Sequence, residues 1–331
     1  MKSNHESRIT NHSGDKVAAL PPVSEMMRAA GLEPKKQLGQ NFLFDLNLTG
    51  KIARSVPDIE NSVVVEVGPG PGGLTRALLA AGAKKVIAIE KDKSAAPILE
   101  QIAAAADGRL EIIFGDALKT GNDELGIKNY AICANLPYNI GTELLIRWLH
   151  VMAKPAPAIT SMTLMFQKEV AMRIVARPGD PQYGRLSVLT SLVADAKILF
   201  NVPRTAFAPA PKVESAVVQI LPKKMCHPGA PQANPGSGQL HKIENITNDG
   251  HSDSQKVDQV PDNFSQAKNF RDDTDISKIE QLTARLFGQR RKMIRGIMPG
   301  VDWAVFGLCG QERAEELSPE KFAEIAAKAV I

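Results

Sequence analysis

The chain has 331 residues, 44% hydrophobic and 23% charged, enough for one large domain with a smaller second one. No apolar run approaches the roughly 18 residues of a membrane span, and the N-terminus M-K-S-N-H-E-S-R lacks the apolar stretch of a secretory leader. Three scattered cysteines (Cys133, Cys226, Cys309) without a C-x-x-C set aside zinc and a disulfide framework, so a reducing, cytoplasmic setting is expected; the net charge of +4 permits a polyanionic partner without requiring one.

Residues 1–23 are polar, end in Pro21-Pro22 and read as a disordered tail. A helix is expected over 24–30, with Ser24 as its cap. The stretch K-K-Q-L-G-Q-N-F-L-F-D (35–45) follows, with turn chemistry at Gly39 and Asp45 placed to cap the next helix. From Val63 a regular alternation sets in. Strands are expected at 63–67, 86–90, 110–114, 130–134 and 159–166, and helices at 73–81, 92–105, 142–152, 167–176 and 186–193. Two late strands, 195–202 and 213–221, have no helix between them, only the proline-rich F-A-P-A-P-K. This pattern predicts a doubly wound, mostly parallel sheet with an antiparallel pair at one edge. Residues 223–275 are dominated by His, Asn, Asp, Gln, Ser, Pro and Gly without sustained apolar period, and read as a disordered insertion. Helical spacing resumes at Ile276, Ile279, Leu282 and Leu286, and a last helix starts at Ser318-Pro319. The expected organisation is therefore a large α/β domain over 24–222 and a small helical domain over 276–331.

Four features fall at the carboxyl ends of successive strands, the edge where open α/β sheets bind ligands. The first is E-V-G-P-G-P-G-G-L-T (66–75), in which Gly68, Gly70 and Gly73 match G-x-G-x-x-G. The second is Glu90, whose carboxylate suits a pair of ribose hydroxyls. Asp116 is third, within reach of an adenine amino group, and Asn135-Leu136-Pro137-Tyr138 is fourth. The glycine pattern alone fits a dehydrogenase equally well, and an acid at a strand end is commonly only a helix cap. N-L-P-Y turns the reading toward methyl transfer. The exocyclic nitrogen of adenine is a poor nucleophile because its lone pair is delocalised into the ring. The Asn135 side-chain oxygen and the Leu136 carbonyl could accept its N–H groups and localise that pair toward an electrophile. Pro137 stiffens the turn and Tyr138 offers a stacking face. The sulfonium methyl of S-adenosylmethionine would be the electrophile, with no metal needed and catalysis resting on positioning and electrostatics.

These residues resemble the ribosomal RNA adenine N6,N6-dimethyltransferases, closest to the bacterial small-subunit type. The resemblance rests on Q-N-F-L (40–43), the glycine stretch, Glu90, G-D-A (115–117), N-L-P-Y-N-I (135–140), F-A-P-A-P-K-V-E-S-A-V-V (207–218) and G-Q-R-R-K (288–292). It covers about residues 25–222 and 276–331. It implies a Rossmann-like class I methyltransferase fold and an S-adenosylmethionine pocket lined by Asn41, Leu43, Gly68, Glu90, Asp116 and Asn135. The catalytic loop would be Asn135 to Tyr138, with Phe207 sandwiching a flipped adenine against Tyr138; read alone, Phe207 would be an ordinary core aromatic. The implied substrate is a pair of adjacent adenines in the 3′-terminal hairpin loop of small-subunit rRNA within a pre-ribosomal particle, the unstacked kind of base that RNA enzymes reach. The basic cluster Arg285, Arg290, Arg291, Lys292 and Arg295, with Lys212, would contact phosphates and make affinity salt-dependent. A monomer is expected, with no membrane partner. The insertion and the N-terminal tail depart from the family pattern without touching its motifs. A Rossmann oxidoreductase, an enzyme acting on large-subunit rRNA or DNA adenine, and a non-catalytic assembly factor remain as alternatives.

Overall fold

The computed structural model describes residues 14–35, 39–120, 126–223 and 273–329; the remainder of the N-terminal tail and nearly all of the 223–275 insertion lie outside them. In chain order the elements are α1 (Gly14–Ala18), α2 (Val23–Ala30), β1 (Phe42–Leu43), α3 (Leu46–Ala53), β2 (Val63–Val67), α4 (Gly73–Ala80), β3 (Lys85–Glu90), α5 (Ala96–Ala105), β4 (Leu110–Phe114), β5 (Tyr130–Asn135), α6 (Gly141–Met152), β6 (Ile159–Gln167), α7 (Lys168–Val175), α8 (Arg185–Val193), β7 (Ala194–Val202), β8 (Phe207–Ala208), β9 (Ser215–Pro222), α9 (Asp273–Phe287), α10 (Ile294–Ile297) and α11 (Pro319–Lys328).

Seven strands form one sheet in the order β4-β3-β2-β5-β6-β9-β7. The first five are parallel, and β9 runs antiparallel between β6 and β7. The expected class and its antiparallel edge are therefore both present. Strand periodicity explains the three layers, because successive side chains point to opposite faces. Val64, Val86, Ala88, Ala131 and Cys133 meet the apolar stripes of α3, α4 and α5 on one face. Val65, Ile87, Ile89, Ile132 and Ala134 meet α6 and α8 on the other. α9 and α11 bury Ile276, Ile279, Leu282, Leu286, Phe322 and Ile325 in that second cluster, so the C-terminal helices share a core with the sheet. β2 and β5 lie side by side while their neighbours diverge to either side, which opens a crevice at their carboxyl ends.

Asp45 caps α3 as expected, its carboxylate accepting from the Asn47 and Leu48 N–H groups. Ser318 caps α11. Ser24 does not cap α2, which starts one residue earlier, after Pro22. A larger correction concerns the tail. Composition assigns residues 14–22 to disorder, yet α1 forms and Val17 is fully buried. The cause is Arg76 on α4, itself buried. Its guanidinium donates to the carbonyls of Val17 (3.1 Å), Leu20 (3.0 Å) and Pro21 (2.6 Å), anchoring the segment by charge-assisted bonds.

Candidate functional site

The crevice is built from the glycine turn upward. Gly70 has φ +54°, and a Cβ there would stand 2.8 Å from Cε1 of Phe42. A Cβ on Gly73 would meet the Leu43 carbonyl oxygen at 2.6 Å. Both glycines thus admit the 39–43 segment against the turn, a role for the motif beyond ligand approach. The turn is held from below by Glu90. Its Oε2 accepts from Gly70 N–H at 2.9 Å and its Oε1 from Asp92 N–H at 2.7 Å. Burial raises the Glu90 carboxyl above its ordinary range, against the pull of those two N–H groups.

Glu66, at the end of β2, is almost completely buried, and Oγ of Thr75 donates to its Oε2 at 2.6 Å. Burial pushes this carboxyl up to about 8; the Thr75 bond opposes the shift and the nearby Glu90 adds to it. Asp116 behaves oppositely. Lys91 Nζ lies 2.8 Å from its Oδ2 and Leu118 N–H donates to its Oδ1 at 3.0 Å, so its carboxyl sits below the usual value.

A second network ties the Asn41 segment to the Glu90 loop. Gln40 donates to Asp92 Oδ2 (3.3 Å) and accepts from Lys35 N–H (2.8 Å), while Lys35 Nζ reaches Asp92 Oδ1 at 2.7 Å. Burial would raise the Asp92 carboxyl, but hydrogen bonds from Lys35, Ser94 and Gln40 outweigh it and hold the group at about 2. Across the crevice, Asn135 Nδ2 donates to the Asn41 carbonyl at 3.0 Å. Its side-chain oxygen is then the acceptor left to the site. The Pro137 carbonyl accepts from the Ile140 and Gly141 N–H groups (3.2 and 3.1 Å), locking the loop onto α6. The Tyr138 hydroxyl lies 2.8 Å from Ser215 Oγ on β9, and burial raises its phenol further above the ordinary value.

Asn41, Gly68, Glu90, Asp116 and Asn135 to Tyr138 line one cavity, as expected. Leu43 and Phe207 do not. They pair with each other across the antiparallel β1–β8 ribbon and are each about 5% exposed in the core. Phe42, one residue earlier, supplies the apolar wall assigned to Leu43. Phe42, Lys91 and Asn139 also line the cavity; Phe42 lies inside Q-N-F-L and Asn139 inside N-L-P-Y-N-I, whereas Lys91 carries no motif. The basic cluster is divided. Arg290 pairs with Glu315 and donates to the Pro181 carbonyl (3.0 Å), and Arg285 reaches the Ile297 carbonyl (3.5 Å). Arg291, Lys292, Arg295 and Lys212 are exposed. Among the described residues, no cluster of His, Cys, Asp or Glu could hold a metal ion, and no helix is long and apolar enough to cross a membrane.

The cavity fits S-adenosylmethionine on its own chemistry. Glu90 and Asp116 border an apolar slot of Phe42, Ile89 and Leu118, acceptors and an apolar wall suited to the ribose hydroxyls and adenine of a nucleoside cofactor. A doubly wound sheet with this glycine turn, strand-end acids and N-L-P-Y loop defines a class I methyltransferase acting on an amino group.

The chain belongs to the ribosomal RNA adenine dimethylase family, whose model matches residues 31–231. It is 43% identical to the ribosomal RNA small subunit methyltransferase A of Mesorhizobium japonicum, over 93% of this chain and 98% of that one. The protein of the same name from Azorhizobium caulinodans is 45% identical, over 93% and 92%. Among solved structures, a dimethyladenosine transferase from Plasmodium falciparum shares the fold with a TM-score of 0.60 at 23% identity, over 86% of this chain and 95% of that one. The protein is thus an S-adenosylmethionine-dependent rRNA adenine dimethyltransferase.

Proposed function

We propose that this enzyme dimethylates N6 of two adjacent adenines in the 3′-terminal hairpin loop of small-subunit rRNA. It would act as a monomer, in the cytoplasm, on a late pre-ribosomal particle. Relatives 43–45% identical over at least 93% of this chain bear the small-subunit name, which supports that target. The observation that carries the chemistry is the Asn135–Asn41 hydrogen bond.

Asn41, Gly68, Glu90, Asp116 and Asn135 hold the cofactor, with Phe42 in place of Leu43 as the apolar wall. The bound cofactor supplies an electrophilic methyl group. The Asn135 oxygen and the Leu136 carbonyl accept the two N–H groups of the target N6, drawing its lone pair out of the ring. Because Asn135 is held by the Asn41 backbone, this arrangement is set before the base arrives. Tyr138, tethered through its hydroxyl to Ser215, provides the stacking face. After the first transfer one N–H remains, so one acceptor suffices and the second must tolerate a methyl group. Arg291, Lys292, Arg295 and Lys212 contact phosphates, while Arg285 and Arg290 support the protein.

Methylation of immature small subunits, naked large-subunit rRNA and duplex DNA tests the assignment. Dimethyladenosine at neighbouring positions, formed only in the small subunit, is expected. Preferential modification of either other substrate would end it.

A further inference from the structure

A second groove opens beside the catalytic loop, lined by Gln167, Met172, Gln182, Arg204, Lys212 and Val213 among others. It adjoins the catalytic loop through β9. Ser215, whose Oγ meets the Tyr138 hydroxyl, pairs in register with Gln167, and the Lys168 N–H donates to the Glu214 carbonyl at 2.9 Å in the groove wall.

Charge and apolarity are arranged unevenly here. The carboxylate of Glu169 is paired with Arg173, and that of Glu214 with Lys168 at 2.9 Å. Lys168, helped by Arg204, holds the Glu214 carboxyl below its usual range. Among the described residues no carboxylate lies within ion-pair distance of Arg204 or Lys212. Arg204 Nη1 donates to the Lys212 backbone carbonyl at 3.3 Å, and both residues line the groove. In the same groove, Met172 of α7 and Val213 are 38% and 44% exposed, two of the few large apolar side chains left open to solvent among the described residues. Gln167 and Gln182 add amides able both to donate and to accept.

We propose that this groove binds the nucleotide flanking the target adenine in single-stranded RNA. Its phosphate lies on Arg204 and Lys212, and its base lies flat on Met172 and Val213 with the two glutamine amides at its edge. The inference rests on the RNA reading above and adds where the neighbouring residue sits. Methionine suits the task because its thioether makes favourable contacts with aromatic rings. An apolar floor also accepts a base whose amine has already lost its N–H groups. The neighbour can therefore be an unmodified or a dimethylated adenine, as successive modification of two adjacent bases requires.

The test uses the full-length enzyme, a fluorescein-labelled 3′-terminal hairpin of small-subunit rRNA, and S-adenosylhomocysteine calorimetry as the control for an intact cofactor site. Removing both cations in Arg204→Gln/Lys212→Gln should flatten the salt dependence of hairpin binding by about 0.7 in log–log slope, the contribution of one single-strand phosphate. Met172→Asp should raise KM for immature small subunits at least tenfold. S-adenosylhomocysteine affinity should stay within twofold of wild type in both variants, and Arg204→Lys/Lys212→Arg should restore the slope. An unchanged slope and KM would overturn the proposal. So would an unchanged RNA slope accompanied by loss of poly-glutamate binding, which would assign the groove to an acidic protein. Wild-type methylation of immature small subunits tests the substrate reading separately, because the groove is judged only from the difference between variant and wild type.

Discussion

Replacing Asn135 with alanine separates cofactor binding from chemistry. The substitution deletes one hydrogen bond of 3.0 Å, from Nδ2 to the Asn41 carbonyl. A single neutral bond is worth about 1 kcal/mol net, or about fivefold in an equilibrium constant. The rest of the cavity wall, including Glu90 and Asp116, keeps its own partners. S-adenosylhomocysteine should therefore bind about fivefold more weakly, as read by calorimetry. The chemical step loses the acceptor that localises the N6 lone pair. Deleting one preorganised group of this kind costs about 2.7–4 kcal/mol, roughly 10²–10³ in rate. Single-turnover transfer at saturating cofactor, followed with radiolabelled methyl groups on immature small subunits, measures that term directly. A rate within threefold of wild type would refute the lone-pair argument. A cofactor affinity that falls as far as the rate would show instead that Asn135 acts mainly on the cofactor.

Three further outcomes follow from the packing. Unfolded, the Glu66 carboxyl titrates near 4.5 and folded near 8. Below 4.5 both states are protonated and folding is indifferent to the group; between 4.5 and 8 only the unfolded chain ionises, so stability falls with rising pH and levels off above 8. Glu66→Gln cannot ionise, so its thermal midpoint in cofactor-free protein should gain on wild type between pH 5 and pH 8; a gap that does not change with pH would contradict the buried-acid account. Arg76→Ala leaves three carbonyls of the 17–21 segment without their cation and should lower stability by about 2–4 kcal/mol in urea titration, with new protease cleavage before Val23. Unaltered cleavage would mean the segment is held by other contacts. Gly70→Ala adds left-handed strain of about 1–2 kcal/mol and drives a Cβ into the Phe42 ring; S-adenosylhomocysteine affinity should drop at least tenfold, and near-normal affinity would show that Phe42 yields easily.

The sheet was legible because each of its strands carries an apolar run or alternation long enough to read, and the turn residues between them are unambiguous. The strand-end residues were legible for the same reason: once the strands are placed, Glu90, Asp116 and Asn135 fall on one edge by topology. What escaped was long-range. β1 and β8 are two residues each, too short for any period, and the pairing of Leu43 with Phe207 joins positions far apart in the chain. The family resemblance placed both residues in the cavity, whereas Phe207 read alone is a core aromatic, and the ribbon turns both into the core. Arg76 gave no warning either. One arginine in an apolar helix looks like a surface residue, and its partners are backbone carbonyls more than fifty residues upstream. Composition likewise misplaced residues 14–22, because a few apolar side chains and one buried cation suffice to order a short segment. The basic cluster was legible only as a count of charges. That count could not show that Arg290 is already matched by Glu315.

The direction of the Asn135 amide has a consequence for what the enzyme can mistake. With its NH2 directed at the Asn41 carbonyl, the amide presents only a lone pair to whatever occupies the ring position opposite. An amino purine answers with a hydrogen. A purine with an oxo group at that position, such as hypoxanthine formed by deamination of the same adenine, would bring lone pairs against a lone pair, and the Leu136 carbonyl beside it offers no proton to mediate. On the proposed chemistry the site would reject such a base by the sign of its edge, so a deaminated hairpin should bind its phosphates as before without seating its base.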